Sequence, residues 1–422
     1  MSLDKMAAEY LNKLESYWVC NETESRGYWR NEHLYPDAQM RGLNLGSGGI
    51  ILALLALRPH LKSEPLKKLI EKRVRLAATW LIENGIDQKS HGFFTGNAGV
   101  ALSIAAAGNF IGSTAMTQSA EEMLIYSLEN VELSDFFSGS QGVLYAACIW
   151  LESFEKSSLS PQANRIHNLV LEKAKTLIKK IENSENVLGI RDANVDEGVE
   201  DIYSGVAHGS IGLYMVLKRL SHLIEDPSIT ELSEIIRLSI LKYAQNSQKT
   251  SLRYRAGSPV LANNLNWCHG AAGLLWADLV SKTTATDCVS DWAIERVVSN
   301  RRYDNTTLCH GVAGRLNLLS ELKRKGIDCK KDSLHSIDIE LDHDLASLDI
   351  LSQKKEGTLF WSSDDVFWAT PDLWVGFSGT FLSFVNARFK LEIPMILSPD
   401  FFSYLSPPAQ VHGVSTNAPT NS

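Results

Sequence analysis

Two Cys-His-Gly triplets, at Cys268-His269 and Cys309-His310, carry the clearest chemical signal in this chain of 422 residues. Six cysteines and eleven histidines would give about 0.16 Cys-His pairs by chance. Thiolate sulfur and imidazole nitrogen are the ligands that zinc binds in tetrahedral array, and three protein ligands leave a fourth position open in catalytic sites. Cys268, Cys309 and one histidine therefore predict a catalytic zinc site.

Two other interpretations of the same residues stay open. A structural zinc would be closed by four ligands, with His269 as well as His310 completing the set. Alternatively, Cys268 and Cys309 are two buried free cysteines and no metal binds.

The predicted ligand set suits a thiol substrate better than water. Two thiolates and a neutral imidazole already neutralise the zinc charge, and a thiol that binds a metal is deprotonated outright. Free cysteine, with a pKa of about 8.5, is mostly protonated at pH 7. The natural electrophile for such a thiolate is an activated alkene. Addition to it yields an enolate that needs a proton at carbon, so a general acid is expected nearby, with His208 and His269 as candidates.

Asp135 precedes a neighbouring glycine motif and is a candidate partner of His208. A carboxylate there would orient the imidazole or stabilise its charge. The alternatives are an aspartate that caps the next helix and a His208 with a core or capping role.

These residues fall in a repeated element, Gly-x-x-Gly followed by an apolar run. It occurs seven times, and the residue before the first glycine is histidine in three consecutive repeats. The first glycines are Gly46, Gly96, Gly139, Gly209, Gly270, Gly311 and Gly376. Their spacings of 50, 43, 70, 61, 41 and 65 residues suit one helical hairpin per repeat with loops of variable length.

The apolar runs predict buried inner helices, and segments that alternate charged and apolar residues predict outer helices. Strand signals are nearly absent. We therefore predict an all-α protein, an α/α toroid of seven inner and seven outer helices forming one domain over residues 1–405, with a polar, disordered tail over 406–422. The glycines are expected to let the loops approach the helices closely, and the residues before them to converge at one mouth. The predicted outer segments are Pro65–Asn84, Glu121–Glu129, Asn164–Ile181, Thr230–Ala244 and Asp291–Val298.

Composition narrows the function classes. The chain is 44% hydrophobic and 21% charged, which suits a globular core, and its net charge of −8 argues against a broad nucleic-acid surface. The first residues lack the apolar region of a secretory signal, and the longest apolar run, Ile50–Leu57, is far short of the roughly 20 residues that span a bilayer. We expect a cytoplasmic protein with reduced thiols and no nucleic-acid partner.

The motifs resemble those of the lanthionine synthetase C-like family, the lanthipeptide cyclases, over nearly the whole chain. NWCHGAAG (266–273) and LCHGVAG (308–314) are similar to the two zinc motifs of the family, AHGSIG (207–212) to its histidine motif and DFFSGSQG (135–142) to its aspartate motif. The resemblance implies that Cys268, Cys309 and His310 bind Zn2+. It implies His208 as catalytic acid or base, Asp135 as catalytic aspartate, and Trp267 as a matching substrate-binding position.

The resemblance also implies a reaction and partners. The reaction is Michael-type addition of cysteine thiols of a precursor peptide to dehydroalanine or dehydrobutyrine, which forms lanthionine and methyllanthionine rings. The chain is too short to include a dehydratase, so a standalone cyclase is expected, in a cytoplasmic complex with a separate dehydratase and a membrane exporter.

Two positions differ from nisin-type cyclases. Asn264 stands where they have an arginine, and His269 stands where they have tyrosine, in a WCHG form in which His269 would share the proton transfer. Arg253 and Arg255 are the nearest upstream arginines. The acidic residues from Asp192 to Asp201 are either a solvated loop or a binding site for a cationic peptide.

Three other functions fit the sequence less well. One is addition of glutathione or another small thiol to dehydroamino acids. Another is a non-catalytic, zinc-containing peptide-binding protein, and the third is a zinc prenyltransferase, which the paired Cys-His-Gly triplets do not fit.

Overall fold

The computed structural model describes residues 1–31, 40–132, 135–154, 161–182, 205–224, 226–246, 265–281, 289–300, 305–327, 336–364 and 367–406. The predictions about Asp192 to Asp201, Asn264, Arg253 and Arg255, and the whole tail after Ser406, lie outside these ranges.

Seven inner helices follow the seven glycine motifs, each starting within one residue of its first glycine. Their side chains are buried almost all round, and every residue of α2 and of α10 is buried. This is the burial expected of helices that are apolar on all faces. They are α2 (Ser47–Leu57), α4 (Asn97–Ile111), α6 (Ser140–Ser153), α8 (Ser210–Ile224), α10 (Ala271–Ser281), α12 (Val312–Arg324) and α14 (Phe377–Phe389).

Seven outer helices pack against this inner set. They are α1 (Leu3–Glu15), α3 (Glu64–Glu83), α5 (Thr114–Asn130), α7 (Pro161–Glu182), α9 (Pro227–Asn246), α11 (Asp291–Ser299) and α13 (Ile337–Leu351). The charge pattern predicts five of them, α5 at half its length, and does not predict α1 or α13. Helix α13 lacks a clear amphipathic pattern because two apolar residues, Ile339 and Ile350, lie on its exposed side, where they are 58% and 83% exposed.

The inner helices form a closed ring. Each packs against the next, from α2 through α4, α6, α8, α10 and α12 to α14, and α14 packs against α2. At this seam the buried Asp372 accepts hydrogen bonds from the backbone N–H of Gly46, at 2.7 Å, and from the amide of Asn31, at 2.5 Å. The predicted α/α toroid of seven inner and seven outer helices is confirmed.

The second glycine of every motif allows a close contact with the loop before it. A Cβ at Gly99 would lie 1.9 Å from the carbonyl oxygen of Phe93, and one at Gly142 would lie 2.1 Å from that of Phe136. The other five second glycines meet the carbonyl six residues earlier in the same way, at 2.0 to 2.6 Å. Their role is close approach, and among the first glycines only Gly46 uses a positive φ, of 121°.

The end of the ring opposite the glycine loops is covered by the chain after α14. Helix α15 (Pro399–Leu405) packs against α2, α4 and α6. Just before it, the carbonyl of Leu397 accepts a hydrogen bond from the Tyr145 hydroxyl of α6, and the N–H of Met395 donates to Glu321 of α12. Met395 and Leu397 are at most 1% exposed, so this segment closes that end of the ring.

The remaining regular structure is small. A three-residue 3-10 helix, Arg58–His60, follows α2. Strands β1 (Trp18–Cys20) and β2 (Gly27–Trp29) form one antiparallel hairpin, and β3 (Gln353–Lys355) and β4 (Thr358–Phe360) form another. Three-residue strands are too short for an alternating pattern to show in the sequence. Among the helices in the described ranges, none is long and apolar enough to cross a membrane.

Candidate metal centre and active site

The loops before the inner helices are joined by backbone hydrogen bonds between equivalent positions. In most pairs of neighbouring repeats, the backbone N–H of the residue two positions before the first glycine donates to the carbonyl of the equivalent residue in the next repeat. The N–H to carbonyl distances are 3.0 Å for Asn44–Phe94, Phe94–Phe137 and Phe137–Ala207, 3.3 Å for Ala207–Cys268 and 3.1 Å for Cys309–Trp374. Between the two cysteine repeats the donor is Trp267, 2.9 Å from the carbonyl of Cys309. The loops therefore meet at one mouth, as predicted.

At this mouth Cys268, Cys309 and His310 form a compact cluster. Their ligand atoms all lie within 4.8 Å of one another. Nε2 of His310 is 3.0 Å from Sγ of Cys268 and 3.5 Å from Sγ of Cys309. Both cysteines are buried, while the His310 side chain is 30% exposed, so the cluster opens toward the mouth on its histidine side.

Asp364 fixes the orientation of His310. Oδ2 of Asp364 lies 2.6 Å from Nδ1 of His310, and Oδ1 accepts hydrogen bonds from the Asn305 amide, at 2.9 Å, and the Thr307 hydroxyl, at 2.5 Å. Because a carboxylate accepts, Nδ1 carries the proton and donates it. Nε2 is then the nitrogen that faces the two sulfurs, which is the arrangement of a metal-binding histidine supported by a carboxylate.

The protonation of the cluster reflects these contacts. The Cys309 thiol, and then His269 and His310, hydrogen-bond to Cys268 and lower its pKa. Burial raises the pKa of Cys309 well above its ordinary value, and the adjacent Cys268 adds to this effect. Burial opposes the charged form of His310, but hydrogen bonds with Asp364 and Cys268 outweigh it and raise its pKa to about 10. These shifts favour positive charge beside the sulfur of Cys268, and a metal ion bound to Nε2 of His310 would take the place of the proton there.

His208 and Asp135 form a second pair at the same mouth. Nδ1 of His208 lies 3.5 Å from Oδ2 of Asp135, whose side chain is 2% exposed against 32% for His208. The other oxygen of Asp135 accepts a hydrogen bond from the N–H of Ser138, at 2.5 Å. Asp135 thus both shapes the turn before α6 and faces His208, so the two interpretations of this residue are compatible.

His269 lies between the two groups. Its ring centroid is 6.4 Å from that of His208, and its side chain hydrogen-bonds to Cys268. The two candidate proton donors, His208 and His269, therefore lie close to each other, and His269 contacts the Cys268–Cys309–His310 cluster.

Trp267 lies below the mouth in an aromatic core. It is 3% exposed, and its ring centroid is 4.8 Å from Trp374, 5.0 Å from Phe94 and 5.6 Å from Trp276. The structure brings Trp267 next to the cluster through its backbone but buries its indole. Its predicted role in substrate binding stays a prediction.

The donor set fits zinc. Two sulfurs and one imidazole nitrogen converge within bonding reach of a single ion, and the tautomer of His310 leaves Nε2 for it. In the described ranges no other group of three such side chains could hold a metal ion. His269 hydrogen-bonds to Cys268 and is absent from the convergent set, so three protein ligands are assembled.

A closed α/α toroid with a Cys-Cys-His cluster that could hold a metal ion at one mouth defines the class of protein, and sequence comparison gives the family. The sequence model of the family described as "Lanthionine synthetase C-like protein" matches residues 39–340, most of the chain. The chain belongs to the lanthionine synthetase C-like family.

Comparison of structures agrees with this assignment at the level of the fold. The chain is similar to the solved structure of nisin cyclase, with a TM-score of 0.63 and 17% sequence identity over 87% of this chain and 93% of that chain. A search of curated proteins found no match.

Sequence reasoning missed Asp364, Asn305 and Thr307. They are common polar residues in the stretches NTTLCHG and WSSDD, without a motif of their own. The one available signal is general, since a metal-binding histidine usually donates its other ring nitrogen to a carboxylate. It could not select among the 49 acidic residues of the chain.

Proposed function

We propose that the chain is a zinc-dependent lanthipeptide cyclase that closes thioether rings in a dehydrated precursor peptide. The observation that carries the proposal is the convergence of the Cys268–Cys309–His310 cluster with the His208–Asp135 pair at one mouth. The cysteine–histidine cluster could stabilise a substrate thiolate, and the histidine–aspartate pair could supply the proton that addition of this thiolate requires. Membership in the lanthionine synthetase C-like family supports the same reaction.

Cys268, Cys309 and His310 would hold the zinc. Bound zinc supplies the acidity that converts a peptide cysteine from thiol to thiolate at neutral pH. Asp364 holds His310 in the tautomer that ligation needs, and the burial of both cysteines excludes competing water from that side.

His208 is assigned the role of the acid that protonates the α-carbon after the thiolate has added. When the peptide sulfur bonds to the β-carbon of a dehydroamino acid, the carbon–carbon π bond breaks and its electrons move toward the neighbouring carbonyl. The α-carbon then takes one proton, which balances the proton lost by the thiol. Asp135, 3.5 Å from His208 Nδ1, orients the imidazole and stabilises its protonated form. His269, which hydrogen-bonds to Cys268 and lies beside His208, is assigned a share in passing the proton of the peptide thiol to His208.

The test is zinc content by elemental analysis together with loss of alkylatable thiols, read by mass spectrometry, after incubation with a dehydrated, cysteine-containing peptide. We expect about one zinc per chain and thiol loss in the wild type. Removal of zinc by a chelator should stop thiol loss, and zinc addition should restore it. Zinc without thiol loss on any peptide would contradict the cyclase, and absence of zinc would contradict the site.

A small-thiol reaction is separated by the same assay. If glutathione replaced the peptide cysteine, the peptide mass would rise by one glutathione per dehydroamino acid, whereas cyclisation leaves the mass unchanged. A mass gain without ring formation would favour the glutathione-adding alternative. Stable peptide binding without either change would favour a non-catalytic binding protein.

The wider setting is also part of the proposal. We propose a cyclase domain over residues 1–405 that acts in the cytoplasm on a peptide dehydrated by a separate enzyme. A complex with that dehydratase and a membrane exporter would place the chain at the membrane periphery. Co-purification with a dehydratase from a cell that makes both would test it.

A further inference from the structure

A phenylalanine that the proposed mechanism does not use, Phe137, packs against His208 at the mouth. The two ring centroids are 5.6 Å apart, and the ring planes are tilted by 51°. Phe137 also stacks on Phe94, with a centroid distance of 4.9 Å and an angle of 4° between the planes. Phe137 is half-buried, and Phe94 is fully buried. The proposed acid therefore lies against a ring that is itself packed on the core.

The position of the Phe137 ring is fixed by the main chain and by the aromatic core. The N–H of Phe137 donates to the carbonyl of Ala207, the residue before the proposed acid, at 3.0 Å. Its own carbonyl accepts from the N–H of Phe94, also at 3.0 Å. Phe94 in turn packs against Trp267 and Trp374, with ring centroids 5.0 and 5.1 Å away. Phe137 is thus held in a defined place from which it can restrain a neighbouring ring.

The contact between His208 and Asp135 is too long to orient the imidazole by itself. Oδ2 of Asp135 lies 3.5 Å from Nδ1 of His208, beyond the range of about 2.7–3.2 Å of an ordinary N–H···O hydrogen bond. A charge pair at that distance attracts one edge of the imidazole but does not fix the plane of the ring. Two aromatic rings whose centroids are about 4.5–7 Å apart attract each other and prefer particular tilts. Phe137 therefore supplies a restraint on the ring plane that Asp135 does not.

We infer that Phe137 is a positioning residue for His208, an inference that rests on the proposed function. Its ring holds the imidazole in the orientation from which a proton reaches the α-carbon of the substrate. Asp135 and Phe137, two positions apart in the same turn, then act on one side chain, the first at its Nδ1 edge and the second through ring packing. Because proton transfer depends steeply on the alignment of donor and acceptor, loss of this contact should slow ring closure and leave peptide binding unchanged.

The test compares three variants, each made in the wild type and in the His208→Asn background. Phe137→Leu removes the ring but keeps an apolar side chain, and Phe137→Tyr keeps the ring. Phe110→Leu is the matched control, because Phe110 is also half-buried and packs against Arg58 near the end of α4 that is opposite the mouth. Single-turnover assays with a dehydrated peptide give the rate of ring closure. Calorimetry with the same peptide, each cysteine replaced by alanine, gives the Kd.

We expect Phe137→Leu to slow ring closure roughly tenfold with unchanged Kd and zinc content, while Phe137→Tyr and Phe110→Leu stay close to the wild type. In the His208→Asn background, Phe137→Leu should change the residual rate by less than about twofold, because its effect passes through the missing imidazole. A tenfold loss that persists in that background, or a loss in Kd alone, would overturn the inference and assign Phe137 to contact with the peptide. An equal loss in Phe110→Leu would also overturn it.

A measurement without turnover separates this inference from the proposed function. In protein labelled with ¹³C at the Cε1 atom of histidine, the NMR signal of His208 is the one that His208→Asn removes. The ring current of Phe137 should displace this signal, so Phe137→Leu should shift it, whereas Phe137→Tyr and Phe110→Leu should leave it nearly in place. A signal that Phe137→Leu does not move would overturn the inference.

The two ideas can therefore fail separately. A wild type that never forms a ring, but whose His208 signal moves in Phe137→Leu, would contradict the cyclase and uphold the placement of the imidazole by Phe137. Ring formation at the wild-type rate in Phe137→Leu would do the reverse.

Discussion

Oδ2 of Asp364 lies 2.6 Å from Nδ1 of His310, although the two residues are 54 positions apart in the chain. The contact joins the loop before α14 to the loop before α12, and it sets which nitrogen of His310 faces the cysteines. Asp364, which lies outside every motif found in the sequence, thus orients a candidate metal ligand, His310, that lies inside one.

Asp364→Asn should weaken zinc binding by about 10- to 100-fold. The asparagine oxygen would still accept from Asn305 and Thr307, but its NH2 group would then face the proton on Nδ1 of His310. Competition with a chromogenic chelator gives the zinc affinity. The control is Asp338→Asn, which alters an exposed pair with Lys323, and an affinity loss equal in both variants would refute the assigned role.

Cys309→Ala should abolish stoichiometric zinc binding and turnover, because two ligands cannot hold the ion at the site. Elemental analysis after gel filtration measures the zinc content. Cys148→Ala is the matched control, since Cys148 is a buried cysteine of α6 outside the cluster, and it should keep its zinc. Full zinc content in Cys309→Ala would remove this residue from the ligand set.

His208→Asn should keep zinc and slow cyclisation by about 10²- to 10⁴-fold, the usual contribution of a general acid. Single-turnover assays with a dehydrated peptide measure the rate, and His167→Asn on the outer helix α7 provides a histidine control. Unchanged cyclisation would make His208 a packing residue.

Asp372→Ala should destabilise the seam between the last and first repeats by about 1–3 kcal/mol, since buried donors on Gly46 and Asn31 lose their acceptor. Urea unfolding measures the free energy, with the exposed Asp349→Ala as control. Wild-type stability at or below that of Asp372→Ala would contradict the seam assignment.

The same residue predicts a pH dependence. Burial, opposed by hydrogen bonds from Thr370, Gly46 and Asn31, raises the pKa of Asp372 to about 6, above the value near 4 of an unfolded chain. The folded state therefore holds this proton more tightly, and the stability gained from it is greatest below pH 4 and declines as the pH rises through 6. The stability difference between wild type and Asp372→Ala should shrink over that interval, and a difference that grows would refute the shift.

Gly142→Ala should cost about 1–3 kcal/mol, because its Cβ would lie 2.1 Å from the carbonyl oxygen of Phe136 and the backbone must move. Ser140→Ala, two residues earlier on the same helix, adds no atom and is expected to be close to neutral. Urea unfolding of both variants compares them. Equal stability would show that the close approach can relax freely.

The ring and the Cys268–Cys309–His310 cluster could be predicted because both follow from a repeated sequence motif. Seven glycine pairs mark seven inner helices, and the cysteines of two adjacent repeats occupy equivalent positions, so the packing of neighbouring inner helices brings them together. The pairing of His208 with Asp135 follows from the same register.

The features that could not be predicted do not follow any repeating pattern in the sequence. Asp364 contacts His310 from an irregular loop. In α13 the exposed side chains of Ile339 and Ile350 interrupt the helical alternation of apolar and polar residues. The burial of Trp267 depends on Phe94 and Trp374 from distant repeats, and sequence spacing does not encode side-chain direction there.

The segment from Met395 to Leu405, which covers the far end of the ring, limits how a substrate could enter and leave it. Among the described residues, this segment and the aromatic core beneath the mouth leave no passage along the axis of the ring. Under the proposed function, a peptide substrate would therefore enter and leave by the same mouth and would not pass through the ring. If the protein makes several thioether rings in one peptide, the order of the rings would depend on which part of the peptide binds at the mouth each time. It would not be fixed by passage of the peptide in one direction through a tunnel.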